Sequence, residues 1–158
     1  MSSFVTQAKS DAEFAAARAL FSEYAATLDV DLDFQGFTSE LSTLQTMYGA
    51  PAGCLLLARD DGHYLGCIGV RRLSNGDCEM KRLYVRPSAR TGGIGRGLVL
   101  AAIESARSMG YKRLLLDTLP DMSAARALYA KLGFRATEPY CHNPIAGVTF
   151  MALDLRAL

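Results

Sequence analysis

The order of apolar and polar residues along the chain predicts a mixture of strands and helices. Apolar residues alternate with polar ones, or form short runs, where strands are expected, and they recur every three to four positions where helices are expected. The predicted strands cover residues 4–8, 54–59, 64–73, 78–87, 112–116, 134–137 and 148–155. The predicted helices run from a Ser10–Glu13 capping box to about Leu28, from about Phe37 to Tyr48, from Ile94 to Gly110, and from an Asp121 cap to Gly133. This order predicts a mixed α/β (α+β) domain.

The fourth predicted strand interrupts its own alternation. Cys78 and Met80 share one face of this strand, whereas Leu83 and Val85 have the opposite parity. One extra residue near Arg82 would bring all four apolar side chains onto one face. The pattern therefore predicts a β-bulge near Arg82, and a bulge leaves backbone groups unpaired and free to bind a ligand.

A glycine-rich turn follows this strand and opens a helix. Four of the six residues from 92 to 97 are glycine, so the backbone can adopt positive φ and lie close to a ligand. Arg90 and Arg96 lie in the same turn. N–H groups at a helix N-terminus, together with two guanidinium groups, favour an anion, and phosphate is the best match.

Length and composition are those of one globular domain that covers residues 1–158. The net charge of +1 argues against a broad basic face, so no nucleic-acid partner is expected. The four cysteines include no Cys-x-x-Cys pair, so no metal site is expected. The sequence shows no signal peptide and no apolar run long enough to span a bilayer, which predicts a cytoplasmic protein with no membrane partner.

Two stretches resemble motifs of the GCN5-related N-acetyltransferase (GNAT) superfamily. The segment Arg90-Thr91-Gly92-Gly93-Ile94-Gly95 matches the superfamily's acetyl-CoA motif Arg/Gln-x-x-Gly-x-Gly/Ala, and residues 81–87 before it resemble the superfamily's fourth strand. Residues 125–134, Ala-Arg-Ala-Leu-Tyr-Ala-Lys-Leu-Gly-Phe, resemble its later helix motif. The order of the predicted elements agrees over nearly the whole chain. The resemblance implies the acyl-CoA N-acyltransferase fold, a mixed central sheet of about six or seven strands flanked by about four helices.

Acetyl-CoA is the co-substrate that this resemblance implies. It would lie in a V-shaped opening between the fourth and fifth strands, with its pantetheine arm hydrogen-bonded along Leu83 and Val85 as an added strand would be. Its pyrophosphate would bind the N–H groups of the glycine turn. Ser123 stands where the superfamily often has a cofactor-binding Asn. The implied cofactor-binding residues are Leu83, Tyr84, Val85, Arg90, Thr91, Gly92, Gly93, Ile94, Gly95, Arg96, Gly97, Ser123 and Tyr129.

The implied reaction needs a base for the acceptor amine and an acid for the leaving thiolate. Glu79 is the candidate general base, and the other interpretation is a strand carboxylate paired with Arg or Lys. Tyr129 is the candidate general acid, because the resemblance gives this role to the Tyr of the Leu-Tyr-x-Lys-x-Gly-Phe motif; the other interpretation is a core aromatic. A backbone N–H near Leu83, freed by the bulge, is the candidate donor to the oxyanion.

The acceptor amine is left open by the sequence, and the resemblance implies a small-molecule or peptide amine. Asp33 and Phe34 belong to an acidic loop that lies where the superfamily selects its acceptor. Tyr140 and His142 belong to a second loop that is a candidate lining of the acceptor pocket. The resemblance is also consistent with a homodimer.

Two other kinds of binding site share part of the pattern. Strand, glycine turn, helix, strand and then Asp117 resemble a dinucleotide-binding unit, but Leu98 occupies the place of its third glycine. The three aspartates of residues 29–33, with Glu40 at the twelfth position, are spaced as in a calcium-binding EF-hand loop. Phe34 occupies the place where that loop needs glycine. Both alternatives are therefore disfavoured.

Two other functional interpretations concern catalysis. Cys141 and His142 are adjacent, but neighbours on an extended segment point to opposite faces, so they are disfavoured as a nucleophile and its base. A module that binds acetyl-CoA without catalysis stays open at this stage, although the presence of Glu79 and Tyr129 argues for an enzyme.

Overall fold

The computed structural model describes residues 4–158, which form one seven-stranded sheet with five α-helices packed against it. The strands are β1 (Phe4–Gln7), β2 (Cys54–Asp60), β3 (His63–Arg72), β4 (Asp77–Val85), β5 (Arg113–Thr118), β6 (Arg135–Ala136) and β7 (Thr149–Asp154). The helices are α1 (Asp11–Ala26), α2 (Phe37–Ser42), α3 (Leu44–Met47), α4 (Ile94–Ser108) and α5 (Ser123–Lys131). The predicted fold class is confirmed, with five α-helices in place of about four.

The strands follow the order β1-β2-β3-β4-β5-β7-β6 across the sheet. Within the described part of the chain, β4 and β5 are the one parallel pair, and every other neighbouring pair is antiparallel. A dinucleotide-binding unit is built on a mostly parallel sheet, so that alternative is wrong.

The two faces of the sheet bury separate hydrophobic cores. Helices α4 and α5 cover one face, with Leu98 and Tyr129 in its core. Helices α1–α3 cover the other face, with Phe21 and Tyr48 in its core. We call these the α4–α5 face and the α1–α3 face. Because β4 and β5 lie in the middle of the sheet, both faces support any site formed between these two strands.

The β-bulge predicted in β4 is confirmed. Cys67 of β3 pairs with Tyr84, but Gly69 pairs with Lys81, so Arg82 and Leu83 together oppose the single residue Ile68. Arg82 has a φ of 62°, in the left-handed region that few residues other than glycine adopt. The extra residue resets the alternation as expected: Cys78 and Met80 are buried in the core of the α4–α5 face, and Leu83 and Val85 pack against that core.

The helix predicted over about 37–48 is wrong in one respect, because it is broken at Thr43 into α2 and α3. Thr43 has φ −130° and ψ 28°, outside the helical region. The hydroxyl groups of Ser42 and Thr43 both donate to the carbonyl of Ser39, at 2.8 and 2.9 Å. Such side-chain bonds compete with the helical hydrogen bonds of the backbone, which explains the break.

The two predicted helix caps have different outcomes. The capping box of α1 is confirmed, since the Ser10 hydroxyl accepts from the Glu13 N–H and Glu13 accepts from the Ser10 N–H. The Asp121 cap of α5 is wrong: the helix begins at Ser123 after Met122, and no side chain among residues 4–158 caps it. The Arg126 guanidinium instead fixes this turn by donating to the carbonyls of residues 119 and 120.

None of the helices formed by residues 4–158 combines the length and the apolar composition that a membrane crossing requires.

Candidate active site

A cleft opens between β4 and β5, where the two central strands separate. Their pairing covers only residues 77–79 of β4 and 113–115 of β5. Beyond that point, β5 remains paired with β7 while β4 bends at its bulge. The separation of the two strands forms the cleft. It matches the V-shaped opening that the resemblance implies, and its lining comprises Tyr24, Met80, Lys81, Arg82, Leu83, Leu116, Asp117, Thr118, Met122, Ala125 and Tyr129.

The edge of β4 that faces the cleft offers backbone hydrogen-bonding groups. The Arg86 N–H donates to the Leu65 carbonyl of β3 at 2.8 Å. Because backbone groups of an antiparallel strand point alternately to its two sides, those of Val85 are directed away from β3, towards the cleft. Arg90 donates from Nε to the Val85 carbonyl at 2.9 Å, so one of these groups is already in use. The sequence offered no signal for that contact.

The glycine turn leads into α4 as predicted. A short 3₁₀ turn, Pro87–Ala89, follows β4, and α4 begins at Ile94. Gly93 precedes α4 with a φ of 74°. Within the described part of the chain, no side chain caps this helix, so its first N–H groups are available to a ligand. The side chains of Arg90 and Arg96 are exposed on either side of the turn, and these features together suit an anion.

Tyr129 is brought to the cleft by α5. Its side chain is only 6% exposed and packs against Phe134, with ring centroids 5.7 Å apart. Burial raises the pKa of the Tyr129 phenol above its ordinary value, so this group stays protonated over the physiological range. Ser123 is exposed at the start of α5, and the cleft is lined by its neighbour Met122 instead.

Glu79 is the last residue of β4 that pairs with β5, and its carboxylate is almost completely buried at 1% exposure. Arg71 donates from Nε to Oε1 at 2.8 Å, and the Tyr140 hydroxyl donates to Oε2 at 2.5 Å. Lys81 Nζ lies 3.8 Å from Oε1, and burial lowers the pKa of this lysine. Glu79 thus has the paired arrangement of the alternative interpretation, while Lys81 connects it to the cleft lining.

Asp117 is a second carboxylate in this region, and the only sequence pattern that includes it is the one resembling a dinucleotide-binding unit. It lies near the end of β5 and lines both the main cleft and a smaller adjoining one. Gln35 and Asn143 donate their side-chain amide N–H groups to its Oδ2, at 3.3 and 3.0 Å. Lys81 in turn donates to Gln35 at 3.3 Å, which links the surroundings of the two carboxylates.

The structure brings together some of the residues predicted to bind the acceptor and separates others. Tyr140 contacts Glu79, as described above. Asp33 is exposed and accepts a hydrogen bond from the Thr38 hydroxyl at 2.9 Å, in a local turn. Phe34 packs against the core of the α1–α3 face, and His142 is exposed. Of these four residues, the structure places Tyr140 beside the candidate base, and none of the four belongs to the lining of the two clefts.

The remaining alternatives gain no support from the structure. Glu40, the twelfth residue of the EF-hand-like spacing, is buried and bound by the Arg82 guanidinium at 2.8 Å. No group of three or more His, Cys, Asp or Glu side chains suited to a metal ion occurs within residues 4–158. Burial and the nearby Asp117 raise the pKa of the Cys141 thiol to about 11, which disfavours a nucleophilic thiolate.

A mixed sheet that splits at its centre, beside a glycine turn and the start of a helix, defines the fold class of acyl-CoA N-acyltransferases. The chain matches the sequence model of the Acetyltransferase (GNAT) family over residues 17–134. It is 44% identical over 138 residues to an uncharacterised N-acetyltransferase of Schizosaccharomyces pombe, and the match covers 86% of this chain and 85% of that protein. The chain therefore belongs to the GNAT acetyltransferase family.

Solved structures show the same fold. An acetyltransferase of the GNAT family from Staphylococcus aureus Mu50 superposes with a TM-score of 0.79 at 19% identity, covering 98% of this chain and 99% of that chain. YncA of Salmonella typhimurium, solved with its cofactor acetyl-CoA, superposes with a TM-score of 0.71 at 22% identity, covering 98% and 95%.

Proposed function

We propose that this protein transfers the acetyl group of acetyl-CoA to a primary amine of a small-molecule or peptide acceptor, by direct attack in a ternary complex. Family membership supports acetyl transfer. The observation that carries the direct mechanism is that side chains from both faces of the sheet line the cleft. Tyr129 of the α4–α5 face and Tyr24 of the α1–α3 face line the same opening. Co-substrate and acceptor can therefore approach the reacting carbon from opposite sides.

Acetyl-CoA binding is assigned to β4 and the glycine turn. The thioester arm would add to the cleft edge of β4, hydrogen-bonding to the backbone of Leu83 and Val85. Its diphosphate would bind the N–H groups at the start of α4, with Arg90 and Arg96 beside it. Because Arg90 already donates to the Val85 carbonyl, its side chain would exchange this partner for the diphosphate on binding.

Glu79 is assigned the role of general base, acting through Tyr140. The carboxylate is too deeply buried to touch an acceptor directly, but the Tyr140 hydroxyl already donates to it. The amine can pass its proton to the Tyr140 oxygen while the Tyr140 proton moves to Glu79. Asp117, which lines the cleft itself, is assigned to binding the acceptor while it is still an ammonium ion.

Tyr129 is assigned the role of general acid. Attack forms the C–N bond and produces an oxyanion, which a backbone N–H freed at the bulge near Leu83 would stabilise. Collapse then breaks the C–S bond, and the nitrogen loses its second proton to solvent to give the neutral amide. The Tyr129 phenol, kept protonated by its burial, donates its proton to the leaving thiolate and is reprotonated from solvent.

Thiol release from acetyl-CoA in the presence of a panel of amines tests this function. The panel should include small alkylamines, amino acids and short peptides, with mass spectrometry to identify the acetylated product. The expected result is thiol release that depends on both the protein and one class of amine.

Calorimetry with acetyl-CoA separates an enzyme from a non-catalytic module. Heat of binding without thiol release for any amine would favour the binding module. An absence of binding heat would contradict the proposed use of acetyl-CoA altogether.

A further inference from the structure

A buried hydroxyl in the cleft lacks a hydrogen-bond partner within the described part of the chain. Thr118 is the last residue of β5 and is 4% exposed. Its Oγ1 is almost completely buried at the cleft wall, yet no described group lies within hydrogen-bonding distance and geometry. A buried hydroxyl without a partner loses the hydrogen bonds it made with water in the unfolded chain, so it destabilises the folded protein unless a ligand replaces them.

The position of Thr118 on β5 indicates towards which face of the sheet its side chain projects. Leu114 and Leu116 of β5 belong to the core of the α4–α5 face. Side chains two residues apart share a face of a strand, so Thr118 projects towards the same side as Tyr129. Asp117 projects to the opposite side, where its amide partners lie. Thr118 therefore belongs to the co-substrate side of the cleft and not to the acceptor side.

On the α4–α5 face, towards which Thr118 projects, the cleft is lined mainly by apolar side chains. Met80, Leu83, Leu116 and Ala125 contribute apolar side chains to the same cleft. A thioester arm contains amide and carbonyl groups, which need hydrogen bonds when they leave water. The backbone of β4 can supply them on one side of the arm. On the side of β5, the Thr118 hydroxyl is placed to form a hydrogen bond with an amide or carbonyl group of the arm.

We propose that the Thr118 hydroxyl hydrogen-bonds the thioester arm of acetyl-CoA where the arm passes between β4 and β5, and so acts as a binding residue for the co-substrate. This inference rests on the proposed function. The free protein holds an unpaired buried hydroxyl among its described residues, and the complex satisfies it. The hydroxyl thus raises affinity for the co-substrate and lowers the stability of the free protein.

Three substitutions test this inference. Thr118→Val keeps the shape of the side chain and removes the hydroxyl, whereas Thr118→Ser keeps the hydroxyl and removes the methyl group. Thr6→Val is the matched control, because Thr6 Oγ1 is also buried without a partner among residues 4–158 but lies on β1, three strands away from β4. The melting temperature of each free protein and its Kd for CoA and acetyl-CoA by calorimetry are the measurements.

Thr118→Val is expected to raise the melting temperature of the free protein by about 2–4 °C and to weaken acetyl-CoA binding by about 3- to 10-fold. Thr118→Ser should bind within about twofold of the wild type, because the donor is retained. Thr6→Val should raise the melting temperature with no change in Kd.

Three results would overturn the inference. The first is a Thr118→Val protein that binds acetyl-CoA as tightly as the wild type. The second is a lower melting temperature of free Thr118→Val, which would show that the hydroxyl has a partner within the protein. The third is an equal loss of affinity in Thr118→Val and Thr6→Val. If the wild type binds neither CoA nor acetyl-CoA, the proposed function fails together with this inference.

Discussion

Glu79 and Asp117 are two carboxylates with different surroundings, and the difference suits different roles. Glu79 is bound by a guanidinium and a phenol and is sealed from solvent. Asp117 is half-buried, accepts from neutral amides and lines the cleft. A carboxylate that is reached only through a hydroxyl can accept a proton but cannot hold an ammonium ion. Asp117 lines the cleft, so it can bind the ammonium group of an acceptor.

Replacing Glu79 by Gln is expected to lower kcat by about 10²- to 10⁴-fold near neutral pH, because the amine loses its proton acceptor. The deficit should shrink as the pH rises above about 10, where a growing fraction of an alkylamine is neutral without help. The measurement is the pH profile of kcat for both proteins. A deficit that stays constant across the range would remove Glu79 as the base.

Tyr140→Phe tests the relay between the amine and Glu79. If the proton passes through the Tyr140 hydroxyl, Tyr140→Phe should show the same alkaline recovery as Glu79→Gln. The double variant should then be little slower than either single variant, since both remove one path. Additive losses in the double variant would show that the two residues act separately.

Tyr129→Phe is expected to lower kcat by about 10²-fold and to change the affinity for acetyl-CoA much less, because Phe keeps the ring that lines the cleft. Burial raises the pKa of this phenol, so the acid stays protonated, and the wild-type rate should not fall from this group between about pH 6 and about pH 10. The loss in Tyr129→Phe should accordingly be the same across that range. If Tyr129→Phe turns over at the wild-type rate, Tyr129 is not the general acid and its role is that of a core aromatic residue.

The sequence predicts a residue of the cleft where that residue belongs to a local motif. It does not predict residues that only long-range contacts bring to the cleft. Tyr129 belongs to a ten-residue motif, and it lies in the cleft as expected. Gln35 lies 82 positions from Asp117, which it contacts, and no local pattern relates the two. Whether the Thr118 hydroxyl has a hydrogen-bond partner likewise depends on residues from several elements, so the local sequence cannot predict it.

At the scale of elements, the bulge in β4 is stabilised by a buried ion pair. Arg82 donates to both carboxylate oxygens of Glu40, at 3.0 and 2.8 Å, and its guanidinium lies 5.1 Å from the Phe37 ring centroid. The Tyr48 hydroxyl donates to the same carboxylate at 2.9 Å. Helix α2 and the end of α3 therefore hold Arg82 in its left-handed conformation. The parity of apolar residues predicted the bulge. No local sequence pattern predicted that Glu40 of α2 would bind Arg82.

Glu40→Gln should destabilise the protein by about 3–5 kcal/mol, because it leaves the buried Arg82 charge without a counterion. Denaturation by urea measures this loss. The control is Glu104→Gln, because Glu104 forms a surface pair with Arg107 in which the two side chains are 60% and 49% exposed. Loss of such an exposed pair should cost about 0.2–1 kcal/mol. Equal losses in the two variants would show that the Glu40 pair does not stabilise the bulge.

The element boundaries show the limit of periodicity. Apolar spacing predicted one helix over about 37–48, but hydroxyl groups at Ser42 and Thr43 compete for the Ser39 carbonyl and break it. The start of α5 was predicted from a capping residue, but the Arg126 contacts decide it. In both places, a specific side-chain hydrogen bond overrides an average preference.

At the scale of the whole molecule, charge is balanced overall and concentrated locally. The net charge is +1, so no general field attracts an anionic co-substrate. Arg90 and Arg96 are exposed beside the start of α4, where the helix dipole has the same sign. Diphosphate recognition is thus expected at one end of the cleft, and thioester recognition at its centre.

Arg96→Gln separates these two parts of the site. It should weaken acetyl-CoA binding by about 3- to 10-fold at low salt, because an exposed charged contact is lost. Acetyl-pantetheine, which lacks the nucleotide, should bind equally well to both proteins. The difference for acetyl-CoA should shrink with added salt, as the screening length falls from about 10 Å at 0.1 M to about 3 Å at 1 M.

Arg107→Gln is the matched control for charge. It removes the same charge from the last turn of α4, at the opposite end of the helix from Arg96. Calorimetry should therefore find acetyl-CoA affinity lowered in Arg96→Gln and unchanged in Arg107→Gln. Equal losses in both variants would indicate a general effect of net charge, and the diphosphate would then have to be placed elsewhere on the molecule.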